Sequence, residues 1–146
     1  MRKVVVLEHI SLDGVVQGPG RPDEDTSDDF SLGGWIGDFT DEVLAKELRA
    51  RMTSDFDLLL GRKTYEIWAP YWSLHADIWP QAARATKFVA SRTLASGSWS
   101  PARILSDDLP RQVRHLKQEL GPPLHVWGSP NMSQTLFAQD LVDAVW

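Results

Sequence analysis

Hydrophobic positions along this chain change period several times, and each change marks an element. Residues 3–10 contain an unbroken apolar run, Val4-Val5-Val6-Leu7, rather than a polar alternation. Such a run suits a strand in a sheet covered on both faces. Short apolar runs recur at 56–60, 86–90, 102–105 and 124–127, and a sixth strand is expected at 142–146. Between them the period lengthens. Leu44, Leu48 and Met52 recur every four residues behind Thr40, which suits an N-cap, and Asp41 and Glu42, which suit the positive end of a helix. A second, short helix is predicted over 64–69, stopped near Pro70. Asp107 or Asp108 is expected to cap a third, with Pro110 in its first turn, Gly121 at its end and Leu109, Val113, Leu116 and Leu120 as its buried stripe. A fourth opens at Ser129 and Pro130 and buries Met132, Leu136 and Phe137.

Strands and helices therefore alternate. The pattern predicts an α/β fold in one domain spanning 1–146, a three-layer sandwich with a mostly parallel central sheet flanked by helices. Two stretches escape the pattern. Residues 11–37 hold Gly14, Gly18, Pro19, Gly20, Pro22, Gly33 and Gly34 with an acidic cluster at Asp23-Glu24-Asp25. A connection of that length is either a functional lid or a disordered insertion, and its start beside the end of the first strand favours a lid. The other is an irregular aromatic segment with Tyr71, Trp72, Trp79 and Pro80.

Composition narrows the function classes. The net charge of −5, with no run of Lys or Arg, argues against a nucleic-acid surface but leaves room for an anionic small ligand held by a local cluster. The chain has no cysteine, which excludes disulfides, a thiolate nucleophile and cysteine metal sites. His9, His75, His115 and His125 are scattered without metal-ligand spacing, so no metal is expected. The first apolar run is too short, and too soon followed by Glu8, for a signal peptide or a membrane span. A cytoplasmic protein with no membrane partner is the expectation.

The candidate chemistry lies where strands end. At Gly61-Arg62-Lys63-Thr64 an apolar strand gives way to a glycine, two cations and a hydroxyl at a helix start. Glycine admits a bulky group to the backbone, the first N–H groups of the helix favour phosphate, and Arg62 and Lys63 add a bidentate donor and a mobile charge. The alternative is a solvated basic turn. Ser91-Arg92-Thr93 repeats the arrangement after the next strand, and either turn supplies the cation and hydroxyl that a ribose 2′-phosphate needs. Gly128-Ser129-Pro130-Asn131 is a third such turn. It leaves the N–H groups of Asn131 and Met132 for a pyrophosphate, although plain helix capping explains it equally well. Three such ends suggest one nucleotide-shaped ligand crossing the edge of the sheet.

Taken together, Ser11-Leu12-Asp13-Gly14, Leu60-Gly61-Arg62-Lys63-Thr64-Tyr65, Ser91-Arg92-Thr93 and His125-Val126-Trp127-Gly128-Ser129 resemble the dihydrofolate reductase-like superfamily, in its riboflavin-biosynthesis reductase (RibD C-terminal domain) branch. The resemblance covers nearly the whole chain. It implies NADPH along the C-terminal ends of the strands. The turns at Gly61 to Thr64 and Ser91 to Thr93 would hold the adenosine phosphates, and the turn at Gly128 and Ser129 would pass under the pyrophosphate. It also implies a nicotinamide bordered by residues 11–20, and hydride transfer to a pterin, a ribosylaminopyrimidine or a related ring. There are two departures. Dihydrofolate reductases anchor the pteridine with a first-helix carboxylate, where this chain has Ala45. The family also continues past the position of Val145 with further strands, so the resemblance implies a version lacking the usual C-terminal strands.

Asp13 sits where that family keeps an acidic residue, which makes it the candidate catalytic group, by contact to the substrate ring or as a proton route. An Asx-turn with Gly14 is the competing account. Trp68, Tyr71, Trp72 and Trp79 are candidates to stack on a flat ring or to pack the core or a subunit contact, His9 to face the cleft, and Trp35 to close over the substrate. The expected protein is an NADPH-dependent reductase of a small nitrogen heterocycle, working as a homodimer. The alternative is a non-catalytic nucleotide-binding or structural homodimer domain that keeps the fold.

Overall fold

The computed structural model describes residues 1–146. Six strands form one sheet: β1 (Val4–Leu7), β2 (Asp57–Gly61), β3 (Lys87–Ala90), β4 (Ala102–Leu105), β5 (Leu124–Trp127) and β6 (Ala144–Val145). Their order across the sheet is β4-β3-β2-β5-β1-β6, and every neighbouring pair is parallel. Parallel pairing forces each connection to cross a face of the sheet, and helices do this everywhere except between β3 and β4, which the irregular segment 91–101 joins. They are α1 (Glu42–Thr53), α2 (Arg62–Trp72), α3 (Pro80–Arg84), α4 (Leu109–Gln118) and α5 (Pro130–Ala138). No helix is long and apolar enough to cross a membrane.

The unbroken apolar runs are used on both faces. Val5, Leu7, Leu58, Leu60 and Trp127 pack with α1, α2 and α3 through Leu48, Met52, Tyr65, Ala69 and Ala82. Val4, Val6, Leu59, Phe88 and Val126 pack with α4 and α5 through Val113, Leu116, Met132 and Leu136. The result is the expected sandwich of two cores separated by the sheet. β5 is inserted between β1 and β2, so the chain runs outward from β2 to β4 and then returns to the middle. In open α/β sheets such a reversal opens a crevice at the C-terminal strand ends.

Several boundaries differ from the sequence expectation. Asp41, not Thr40, caps α1, its carboxylate accepting from the Leu44 N–H at 2.8 Å. The Thr40 hydroxyl instead donates to the Ile36 carbonyl, closing the preceding turn. α2 begins two residues earlier than predicted and runs through Pro70 to Trp72. Pro70 costs one backbone bond near the end of the helix, and edge-to-face packing among Trp68, Trp72 and Trp79 holds the last turn. The aromatic segment is not wholly irregular: Pro80 opens the short α3. Leu120 is exposed because α4 stops at Gln118, and Phe137 is exposed because it lies one position round α5 from the buried Met132-Leu136 stripe. The first and last strands are shorter than the apolar runs suggested.

Candidate functional site

Because all strands are parallel, the turns after β2, β3 and β5 lie on one edge of the sheet. Gly61 pairs with Ala90, the residue before Ser91, and its N–H donates to the Ser129 hydroxyl at 2.9 Å. That hydroxyl in turn donates to Thr64 Oγ1 at 3.0 Å. A Cβ on Gly61 would stand 3.3 Å from the Ser129 Cβ, so the glycine is what lets the two turns touch. Gly128 and Ser129 are both left-handed, with φ of 59° and 63°. This pair turns the chain from β5 into α5 and directs the Ser129 side chain sideways to α2 instead of onto its own helix. Neither α2 nor α5 has a side-chain N-cap. Two uncapped helix starts are thus stitched together, and the first residues of both line one cleft.

The cleft has a volume of about 850 Å³. Gly61, Arg62, Lys63, Thr64, Gly128, Ser129 and Asn131 line one end of it. At the other end Trp68, Trp72, Trp79 and Trp127 form a wall of mutually tilted indoles, joined by Leu48 and Met52 of α1. α1 therefore offers the cleft apolar groups and no carboxylate. Residues 16–28 and Ile36 fold across the mouth. This segment braces itself: the Trp35 indole donates to the Gln17 carbonyl at 2.9 Å, and the Gln17 amide donates to the Ser27 carbonyl at 2.9 Å. It is fastened to the body by Lys63, which reaches the Asp25 carboxylate at 2.9 Å and the Ser27 hydroxyl at 2.5 Å. Burial pushes the Asp25 carboxyl up, but hydrogen bonds from Ser27 and Lys63 outweigh it and hold the group down at about 2. Arg62 pairs with Glu66 at 3.0 Å on its own helix.

A family model for the RibD C-terminal domain matches residues 2–146, essentially the entire chain. The chain belongs to the RibD C-terminal domain family. A search of curated proteins returns no match. Membership accords with the sheet and with a reductase-type fold.

Of the residues that the sequence assigned to this RibD C-terminal domain's site, seven line the cleft and three do not. Ser91 is buried, and its hydroxyl accepts from the Thr93 and Leu94 N–H groups, so it shapes its own turn. Arg92 is exposed on the same sheet edge but outside the cleft. Asp13 is fully exposed and away from the cleft; it accepts the Ser11 hydroxyl at 2.6 Å, which holds its carboxyl below the usual range. With Gly14 at φ +90° and its N–H on the Ser11 carbonyl, Asp13 belongs to a tight turn. Trp35 works inside the lid; Ile36, not the indole, meets the cleft.

Glu8 went unassigned in the sequence. It lines the cleft at the end of β1, with Oε1 sealed from solvent and unpartnered. The one signal for it was an acid closing an otherwise apolar strand. His9 beside it also lines the cleft, and burial lowers its imidazole below the ordinary value, against the pull of Glu24. Both residues fall where β1 leaves the sheet, a position that periodicity does not mark.

Proposed function

We propose that this RibD C-terminal domain is an NADPH-dependent reductase of a small nitrogen heterocycle. The observation that carries the reading is the pair of uncapped helix starts, α2 and α5, joined through Ser129 and opening on one cleft. A dinucleotide offers two negative clusters separated by a ribose. The amides of α2 with Arg62 and Lys63 suit the phosphate of the adenosine half, and the amides of Asn131 and Met132 suit the pyrophosphate. The sheet order then runs from β2 through β5 to β1, which leads the remaining ring to Glu8, His9 and the indole wall. When bound, NADPH supplies the hydride. The chain's own part is to orient the two rings and exclude water, the lid over 16–28 and the tryptophans serving the second purpose. The same reading has two copies meeting along the open edge of β6.

The cofactor site is tested by titrating NADPH and NADH against tryptophan fluorescence. Arg62→Ala should weaken NADPH by about 1.5–3 kcal/mol, the scale of a charged hydrogen bond, and leave NADH nearly unchanged. Absence of NADPH binding, or equal binding by the variant, refutes the assignment.

One observation favours a second reading. α1 brings no carboxylate to the cleft to anchor a heterocycle, while the starts of α2 and α5 still line it. A nucleotide-binding domain without turnover would be built in this way. NADPH binding without oxidation across pterins, pyrimidines and quinones would select it.

A further inference from the structure

Glu8 is a side chain whose surroundings the fold itself does not explain. It stands at the C-terminal end of β1, one residue past the Leu7–Trp127 pair that joins β1 to β5. That places it beside Gly128, where the proposed pyrophosphate turn begins. Its Oε1 is buried with no hydrogen-bond partner, and neither oxygen enters a salt bridge. Leaving that oxygen in this state is costly, since buried polar atoms are ordinarily hydrogen-bonded. The residue as a whole is only partly buried and lines the cleft.

Resting on the reductase reading above, we propose that Glu8 is the acid that delivers the proton accompanying hydride transfer, to a ring nitrogen of a substrate carrying a C=N bond. The surroundings keep a proton on this group. Burial raises the carboxyl to about 7, against a lesser lowering by the nearby Ser133 hydroxyl of α5. No charge adds to or subtracts from this. The next residue along the chain is His9, which Glu24 of the 16–28 segment faces; the end of β5 brings Trp127 and Gly128, and the residue after β6 brings the Trp146 carbonyl, which accepts the Glu8 N–H at 3.4 Å. In the step, hydride leaves NADPH and bonds to the carbon of the C=N. The π electron pair moves to the nitrogen. The Glu8 O–H bond breaks and an N–H bond forms, leaving NADP⁺ and a carboxylate that takes its next proton from water. A general acid works best with its own proton affinity near the working pH, which Glu8 meets and the exposed Asp13 does not.

The experiment uses the full chain with Glu8→Gln, which keeps size and polarity but carries no transferable proton, and Glu8→Asp, which keeps an acid. NADPH quenching should be the same in all three proteins. NADPH oxidation is then followed with pterin, 7,8-dihydropterin and 2,4-diaminopyrimidine as probes. With an active probe, wild-type kcat/KM should fall as pH rises through about 7. Glu8→Gln should lose about 100-fold or more in kcat, with KM little changed and the pH break gone. Glu8→Asp should restore part of the rate together with a break. A readout independent of turnover is the infrared carbonyl band of a protonated carboxyl, present in wild type at pH 6, lost by pH 8.5 and absent from Glu8→Gln. Full turnover by Glu8→Gln, an unchanged pH break, a missing infrared band, or no oxidation with any probe would overturn the role of Glu8. Absence of NADPH quenching in the wild type would instead overturn the reductase reading beneath it.

Discussion

Single residues in this chain differ most in what surrounds their polar atoms. His125 lies in the middle of β5, stacked on Phe56 at 4.8 Å, with Nδ1 buried and unpartnered. Burial, and secondarily the charge of Arg51, lower its imidazole to about 4. The unfolded chain therefore binds a proton that the folded chain refuses between about pH 6.5 and 4. Stability from this residue is present above that window and is lost as pH falls through it, to the extent of about 3 kcal/mol. His125→Phe keeps the stack and removes the titration. Urea unfolding at pH 7 and pH 4.5 should show a smaller acid loss for the variant than for wild type, and equal losses would refute the account. Lys87 carries a similar burden with better provision. It is fully buried, yet its ammonium donates to the Ala83 and Ser100 carbonyls and lies 4.3 Å over the Trp99 ring. The sequence showed that these residues sit in strands; it gave no sign of which polar atoms would have partners, because those partners come from distant segments.

Among the elements, the segment over 16–28 shapes the mouth of the cleft. Its acids Glu24, Asp25 and Asp28 and its cation Arg21 line the mouth, and its hold on the body runs through Lys63. The lysine that suits a phosphate is thus the lysine that fastens the lid, and a bound phosphate competes with Asp25 for it. Asp25→Asn removes the competitor. It should tighten NADPH by a few-fold and speed proteolytic cleavage within 16–36 in the absence of nucleotide, measured by titration and by timed digestion. Unchanged cleavage and affinity would show that the ion pair does not control the lid. Sequence periodicity located this segment and its acidic cluster, but not its self-bracing bonds from Trp35 to Gln17 and from Gln17 to Ser27. Helix ends show the same division. The Ser129-Pro130 helix start was legible, yet Ser129 does not cap it, because two left-handed residues redirect its hydroxyl to Gly61 and Thr64.

At the scale of the whole molecule the sheet remains open at both sides, with β4 and β6 unpaired on their outer edges. β6 spans two residues, and Val145 and Trp146 remain more than half exposed although Trp146 stacks under Arg51 at 4.0 Å. A second copy meeting this edge would cover both. Sedimentation velocity should find a dimer, and Val145→Lys should shift it toward monomer; a monomeric wild type at all concentrations would refute the contact. The sequence by itself determined the α/β class, six strands, four of the five helices and the three strand-end turns. Each depends on local periodicity, caps and breakers, which act over a few residues. The tertiary structure decided the rest: the strand order that gathers the turns on one edge, the exclusion of Asp13 and Arg92 from the cleft, and the placing of Glu8 inside it. Those outcomes depend on which distant strand lies beside which, and parallel pairing between segments over a hundred residues apart, as between β1 and β5, leaves no mark in any local pattern.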